Sequence, residues 1–192
     1  NGVIFSNNIC YDITGHAVFL EDAVERRNVI ENNLVVKVRA PEASKRFLEH
    51  DGQASGFWLT NPDNTVRGNI AADAVGKGFW LAFPRQTLGL SSKVDLEPRY
   101  LPFGIFEDNT AHSNREGIHL DNAPTRADPG LLESHRYEPM KDGKPFPGNF
   151  YNFDHWLRFK LERVTLFKNG TGWGNGGFLN LVSWRDYVNW VS

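Results

Sequence analysis

One cysteine, Cys10, and one methionine occur in 192 residues. A lone thiol closes no internal disulfide, so no covalent staple supports the fold. No stretch has the roughly 20 unbroken apolar residues of a membrane span. Asn1-Gly2-Val3 does not resemble the start of a signal peptide. With 21 basic and 23 acidic residues, the formal net charge of -2 gives no global attraction to polyanions and argues against nucleic acid as a partner. The sequence also lacks a nucleophile elbow, a P-loop and Cys/His zinc spacing, so those chemistries have no support. Core material is plentiful, with 18 Gly, 14 Phe and 6 Trp, enough for a single β-rich unit.

That material is arranged as a repeat. An Asn-centred element appears at Asn7-Asn8-Ile9, Asn32-Asn33-Leu34, Gly68-Asn69-Ile70, Asp108-Asn109-Thr110 and Lys168-Asn169-Gly170. Short apolar strands answer it at Val18-Phe19-Leu20, Phe57-Trp58-Leu59, Phe79-Trp80-Leu81 and Ile118-His119-Leu120, with Gly-bearing turns between, as at Gly174-Asn175-Gly176-Gly177. Once inserts are removed, the period of about 22 residues reads as an all-β solenoid, a parallel β-helix whose rungs bury their apolar faces only against neighbours. Asn at each rung corner suits an internal ladder that satisfies turn amides, so Asn8, Asn33, Asn69 and Asn109 are read as scaffold. The sequence starts inside a repeat, which is expected of a piece of a longer, secreted chain.

Three long inserts interrupt the single unit, near residues 39–55, 84–102 and 123–154. The third is dense in Pro and Gly, which favours turns over regular structure. Inserts of this kind form walls or lids.

Strand alternation predicts which side chains face outward. If Val18, Phe57, Phe79 and Ile118 fill the core, then Phe19, Trp58, Trp80 and His119 form an outer stack, followed by Glu21, Thr60, Ala82 and Asp121. An open ladder of rings edged by carboxylates suits stacking against sugar faces. The same rings covered by inserts would instead form a second small core. The densest polar cluster, from Gly15 to Asn28, joins His16, Glu21, Asp22, Glu25, Arg26 and Arg27. It reads either as an acid–base site, because cations beside carboxylates separate their pKa values, or as a corner salt-bridge network.

The blocks from Gly15 to Asp22 and from Glu25 to Asn28 are followed by Phe57 to Asn64, Gly78-Phe79-Trp80, Ala111 to Asn114 and Asp121-Asn122. Together they resemble the β-helix region of the cell-surface hyaluronidases, over about residues 13 to 123. That family includes the cell migration-inducing hyaluronan-binding protein, with fibrocystin-like proteins as more distant relatives. The resemblance implies a right-handed β-helix in an extracellular or cell-surface protein that binds or cleaves hyaluronan or another acidic polysaccharide, with calcium as an optional cofactor. It also implies flanking domains in a longer parent chain, among them the family's G8 domain, which is not in this sequence. The single Cys departs from the Cys-rich animal members and points to a microbial relative.

Within that frame Glu21 is the expected general acid, Asp22 or Glu25 its orienting partner and His16 an alternative proton carrier. His119 and Asp121 form a second candidate group on one strand face, Asp121 pairing with Asp154 or His155 of the third insert. Glu21 and Asp121 lie three rungs apart, roughly 14 Å, too far for a glycosidase pair, which needs about 5–9.5 Å. Phe19, Trp58 and Trp80 are the expected sugar platform, and Arg26, Arg27, Lys77 and Arg115 the expected uronate contacts. Hydrolase, non-catalytic binding module and polysaccharide lyase remain three distinct readings.

Overall fold

The computed structural model describes residues 1–120, 122–134, 137–145 and 157–170, with the backbone of 181–182. The first circuit comprises β1 (Ile4–Ser6), β2 (Ile9–Thr14) and β3 (Val18–Phe19). The second comprises β4 (Val29–Glu31), β5 (Leu34–Arg39) and β6 (Phe57–Leu59), and the third β7 (Thr65–Arg67), β8 (Ile70–Ala74) and β9 (Lys77–Leu81). A fourth holds β10 (Ile105–Glu107), β11 (Thr110–His112) and β12 (Glu116–Leu120). After a short antiparallel pair, β13 (Ala123–Pro124) and β14 (Leu132–Glu133), come β15 (Thr165–Phe167) and β16 (Leu181–Val182).

The strands form sheets in the orders β1-β4-β7-β10, β15-β11-β8-β5-β2 and β16-β12-β9-β6-β3, with every pairing in them parallel. The chain thus visits three sheets in turn and advances by one strand spacing, about 4.8 Å, on each circuit. Such a coil needs two sharp bends repeated in register, and the backbone supplies them. Asn7, Asn32, Gly68, Asp108 and Arg163 have φ of 57°, 56°, 64°, 54° and 48° at one corner. Asp12, Lys37, Asp73, Ser113 and Lys168 have 59°, 63°, 56°, 58° and 51° at the next. These are left-handed conformations, in which Asn, Asp and Gly are the least strained residues. Gly68 is required twice over, since a Cβ there would also lie 2.4 Å from Asn32 Oδ1.

Each bend presents backbone N–H groups with no strand partner, and asparagine satisfies them. At the first corner Asn8 donates its N–H and Nδ2 to Asn33 Oδ1, Asn33 donates the same pair to Asn69 Oδ1, and Asn69 to Asn109 Oδ1, all at 2.9–3.1 Å. The Nδ2 groups of Asn33, Asn69 and Asn109 also donate to Phe5, Ile30 and Val66 carbonyls. A second column joins Asn28 to Asn64, and a third joins Asn114 to Asn169. Asn169 therefore belongs to the second corner, not to the Asn8 column suggested by the flat repeat. Val164, beside Thr165, takes the place in register with Asn109.

Inside the coil, Val18, Phe57, Phe79 and Ile118 stand in register, with Leu59, Leu81 and Leu120 as the next inward row. The Phe57 and Phe79 rings stack at 4.6 Å, and Phe106 meets Phe79 edge-on at 5.3 Å. The inserts leave the coil between β5 and β6, β9 and β10, and β12 and β15. In contrast to the turn-only expectation, the third contains the β13–β14 pair. The Gly174-Asn175-Gly176-Gly177 turn lies outside the described residues, as do Asp121, Asp154 and His155.

Substituting Asn69 with Ala orphans the Asn33 N–H, leaves the Asn33 side-chain amide with the Phe5 carbonyl alone, and removes the side-chain donor to the Ile30 carbonyl. At about 1–3 kcal/mol per buried unpaired group, Asn69→Ala is expected to lower unfolding free energy in urea by about 3 kcal/mol or more. Asn8→Ala, at the half-exposed end of the column, is expected to cost well under half as much. Equal losses at the two positions would mean that the ladder does not carry the corners.

Candidate functional site

The third sheet places Phe19, Trp58, Trp80 and His119 in one outer row. The row is not an open platform. Phe19 is 40% exposed, but Trp58, Trp80 and His119 are 1%, 0% and 3% exposed, because inserts fold across them. Trp58 and Trp80 pack with Ala82 and with Ala123 and Leu132 of the third insert as a second apolar cluster. Two indoles carry about 150–250 Å² each, and covering them removes that surface from water. In the next outward row Thr60 and Ala82 are fully buried, and Thr60 donates its hydroxyl to the Leu20 carbonyl.

Polar groups line the covered face. His16 stacks on Phe19 at 5.3 Å and lies 4.6 Å from the Trp58 ring. His50, in the Glu49–Gln53 3-10 turn of the first insert, stacks on Trp58 at 4.6 Å. Lys77 Nζ sits 3.7 Å above the Trp80 ring and donates to Gln53 Oε1. Beside it, Glu116 Oε2 accepts from His119 Nδ1 at 2.7 Å, and Asn122 Nδ2 donates to His119 Nε2 at 3.2 Å.

Burial sets the charges here. It pushes the Lys77 ammonium down to about 8, partly offset by Glu116. It also pushes His16 down to about 3, with His50 adding to the effect, and lowers His50. Desolvation raises Glu116, but the His119 hydrogen bond and the Lys77 charge outweigh it and hold this carboxyl below its usual value. At neutral pH His16 is therefore a neutral ring, which removes it as a proton donor of the ordinary imidazolium kind. Lys77, 2% exposed, lies beneath the inserts instead of at a surface where a uronate docks.

The other sequence-derived candidates form a separate group. Glu21 is exposed. Asp22 anchors the second insert: its Oδ2 accepts from Ser91 N–H at 3.0 Å and its carbonyl from Leu88 N–H at 3.0 Å. Glu25 Oε1 accepts from Asp22 N–H at 3.1 Å, leaving Oε2 buried and unpartnered. Arg26 N–H donates to Asn1 Oδ1, Arg27 lies 3.7 Å from Asp63, and Arg115 is exposed. Asp121 lies outside the described residues.

Sequence reading missed His50, Asp51, Gln53, Glu116 and Asn122 as members of the site. The Asp51-Gly52-Gln53 turn and the Glu116-Gly117 corner are visible in the chain, but their convergence on Trp58 and Trp80 depends on how the inserts fold. Among the described residues, one group of three or more His, Cys, Asp or Glu side chains converges closely enough for an ion: His16, His50 and Asp51. Two imidazoles and one carboxylate do not fit calcium, which takes six to eight oxygens.

The family model described as CEMIP beta-helix matches residues 1–118. Fibrocystin-L of Mus musculus is 33% identical over 182 residues, covering 92% of this chain and 4% of that protein. Cell surface hyaluronidase CEMIP2 of Homo sapiens is 29% identical over 212 aligned positions, 92% of this chain and 15% of its own length. Protein rliB of Dictyostelium discoideum is 28% identical, with 91% and 18% covered. The chain thus spans a small part of each of these relatives.

Lys77 gives the site a pH signature. Its folded value near 8 lies below the ordinary 10.5, so between those values the unfolded chain binds a proton that the folded chain does not. The penalty for burying the ammonium is full below pH 8 and fades as pH rises through this window. Unfolding free energy is expected to increase between pH 8 and 9.5 by up to about 1.4 kcal/mol per pH unit, measured in urea. Burial also raises the Cys10 thiol from 9.0, which opposes the rise towards the upper end, and the interval ends before Tyr100 and Tyr137, whose hydroxyls burial pushes up, add to that opposition. Lys77→Met is expected to flatten the rise; an unchanged slope would assign it to other groups.

Proposed function

The chain belongs to the CEMIP beta-helix family, and from that premise we propose that it is one β-helix unit of a longer extracellular or cell-surface protein that hydrolyses an acidic polysaccharide such as hyaluronan. The unit is a solenoid wound right-handedly, the hand taken by about 98% of parallel strand crossovers. The relatives named cell surface hyaluronidase support the substrate class. The observation that carries the reading is an acid beside an accessible ring: Glu21 is exposed, and Phe19, two residues earlier on the strand and in register with Trp58, is 40% exposed. Phe19 offers a stacking face to a sugar, Glu21 acts as general acid, and Arg26, Arg27 and Arg115 meet uronate carboxylates.

A non-catalytic glycan-binding unit is the second reading. It is favoured by Asp22 and Glu25, whose hydrogen bonds to Ser91 and to the Asp22 N–H commit them to holding the turn. A substrate N-acetyl group could replace a second carboxylate in hydrolysis.

In the full-length protein Phe19→Ala is expected to weaken hyaluronan binding by a factor of about 10, a loss of roughly 1.4 kcal/mol. Glu21→Gln is expected to leave binding nearly intact and slow cleavage by about 10²- to 10⁴-fold. Saturated reducing ends among the products identify hydrolysis. Unsaturated ends absorbing in the ultraviolet identify a lyase and remove Glu21 as glycosidic acid, whereas binding without products selects the second reading. Full cleavage by Glu21→Gln overturns the assignment.

A further inference from the structure

His16 precedes β3, and His50 and Asp51 come from the first insert, yet a ligating atom from each lies within 4.8 Å of the others. His16 Nε2 and His50 Nδ1 are buried without a hydrogen-bond partner, and the His50 side chain is 2% exposed. Buried polar atoms are almost always paired, so two such nitrogens beside one carboxylate point to a missing ligand: His50 Nδ1 offers it a lone pair directly, and His16 Nε2 offers one once its proton moves to Nδ1. The geometry points to a binding site for one divalent transition-metal ion of the zinc class, held by His16 Nε2, His50 Nδ1 and the Asp51 carboxylate, with a fourth position open to water.

The donor set of two imidazole nitrogens and one carboxylate oxygen is the set that zinc takes when one coordination position stays free. The surrounding contacts orient two of the three ligands. His50 donates to the Pro129 carbonyl, which leaves the lone pair on the unpartnered Nδ1. Asp51 Oδ2 accepts from the N–H groups of Phe47 and Leu48 at 3.0 Å each, while Oδ1 faces His50 Nδ1 at 3.8 Å. Outer partners of this kind fix ligand orientation in metal sites. An ion here ties the first insert to the strand it covers.

The third ligand gives the proposal a distinctive signature. Ser55 N–H donates to His16 Nδ1 at 3.1 Å, so in the metal-free ring the proton resides on Nε2. Coordination through Nε2 moves that proton to Nδ1, where it opposes the Ser55 N–H and breaks the bond. Zinc loading must therefore disturb the Ser55 amide while the Phe47 and Leu48 amides, bonded to the other Asp51 oxygen, keep their partner. The proposal does not depend on the glycan reading.

The test adds zinc chloride to the whole chain after treatment with a chelator. One ion per chain is expected by calorimetry, together with a rise in Tm and faster hydrogen exchange at Ser55. Asp51→Asn retains an oxygen for the Phe47 and Leu48 N–H groups but loses the charged ligand. It is expected to fold and to weaken zinc by more than the about 10- to 100-fold that loss of an outer partner costs. His16→Phe keeps the ring stack and removes the nitrogen, and is expected to do the same. Absence of a Tm rise in the parent chain, zinc affinity unchanged in both variants, or a Ser55 amide indifferent to zinc would each overturn the site.

Discussion

Asn33 and Asn69 show what the coil depends on. Each accepts two hydrogen bonds at one Oδ1 from the Asn of the previous circuit and donates two to the next, while its Nδ2 also reaches back to a strand carbonyl. Parallel strands stacked through three sheets leave corner amides that no ladder of the sheet can pair, and burying them unpaired is prohibitive. One small side chain with both a donor and an acceptor meets that demand in the width of a single strand spacing. Left-handed residues immediately before the Asn, at positions 7, 32, 68 and 108, aim it along the stack. The sheet registers follow from these corners, and the alternating faces follow from the registers.

Register gives the protein two kinds of outer face. On the sheet that contains β6 and β9, three inserts converge. The first brings His50, Asp51 and Gln53; the third brings Asn122, Ala123 and Leu132; the second is tied to the third by Arg126 donating to the Thr87 carbonyl at 2.9 Å. On the sheet that contains β2 and β5, the outer rows keep Ile9 at 75% and Tyr11 at 63% exposure. The difference lies in where the inserts land. Charged groups under a cover of this kind interact more strongly than in water and lose hydration together, which is why Lys77, Glu116 and His119 form a network and do not act as independent surface charges.

The same enclosure separates the candidate residues into two environments. Glu21, Phe19 and Arg115 remain at the rim in contact with solvent, whereas Trp58, Trp80, Lys77 and His119 are withdrawn. Solvent reaches the first group directly; the second supports the strand from which Phe19 projects and fixes the inserts above it. His16 joins the two, stacked on the half-exposed Phe19 on one side and touching the buried Trp58 on the other.

The repeat of Asn and aromatic elements, together with period-two alternation, determined the parallel strands, the Asn8–Asn33–Asn69–Asn109 column and the composition of the outer row, because these depend on local spacing alone. It could not separate the Asn109 column from the Asn114–Asn169 column, since both corners use an Asn after a left-handed residue. Nor could alternation tell an exposed ring from a covered one: outward means only away from the coil's axis. Whether Trp58 and Trp80 meet water was decided by inserts whose paths follow no period. The meeting of His16 with His50 and Asp51, separated by more than 30 residues of sequence, was likewise a matter of tertiary packing. Short-range periodicity fixes the rungs, and the folding of long irregular segments over them fixes the chemistry.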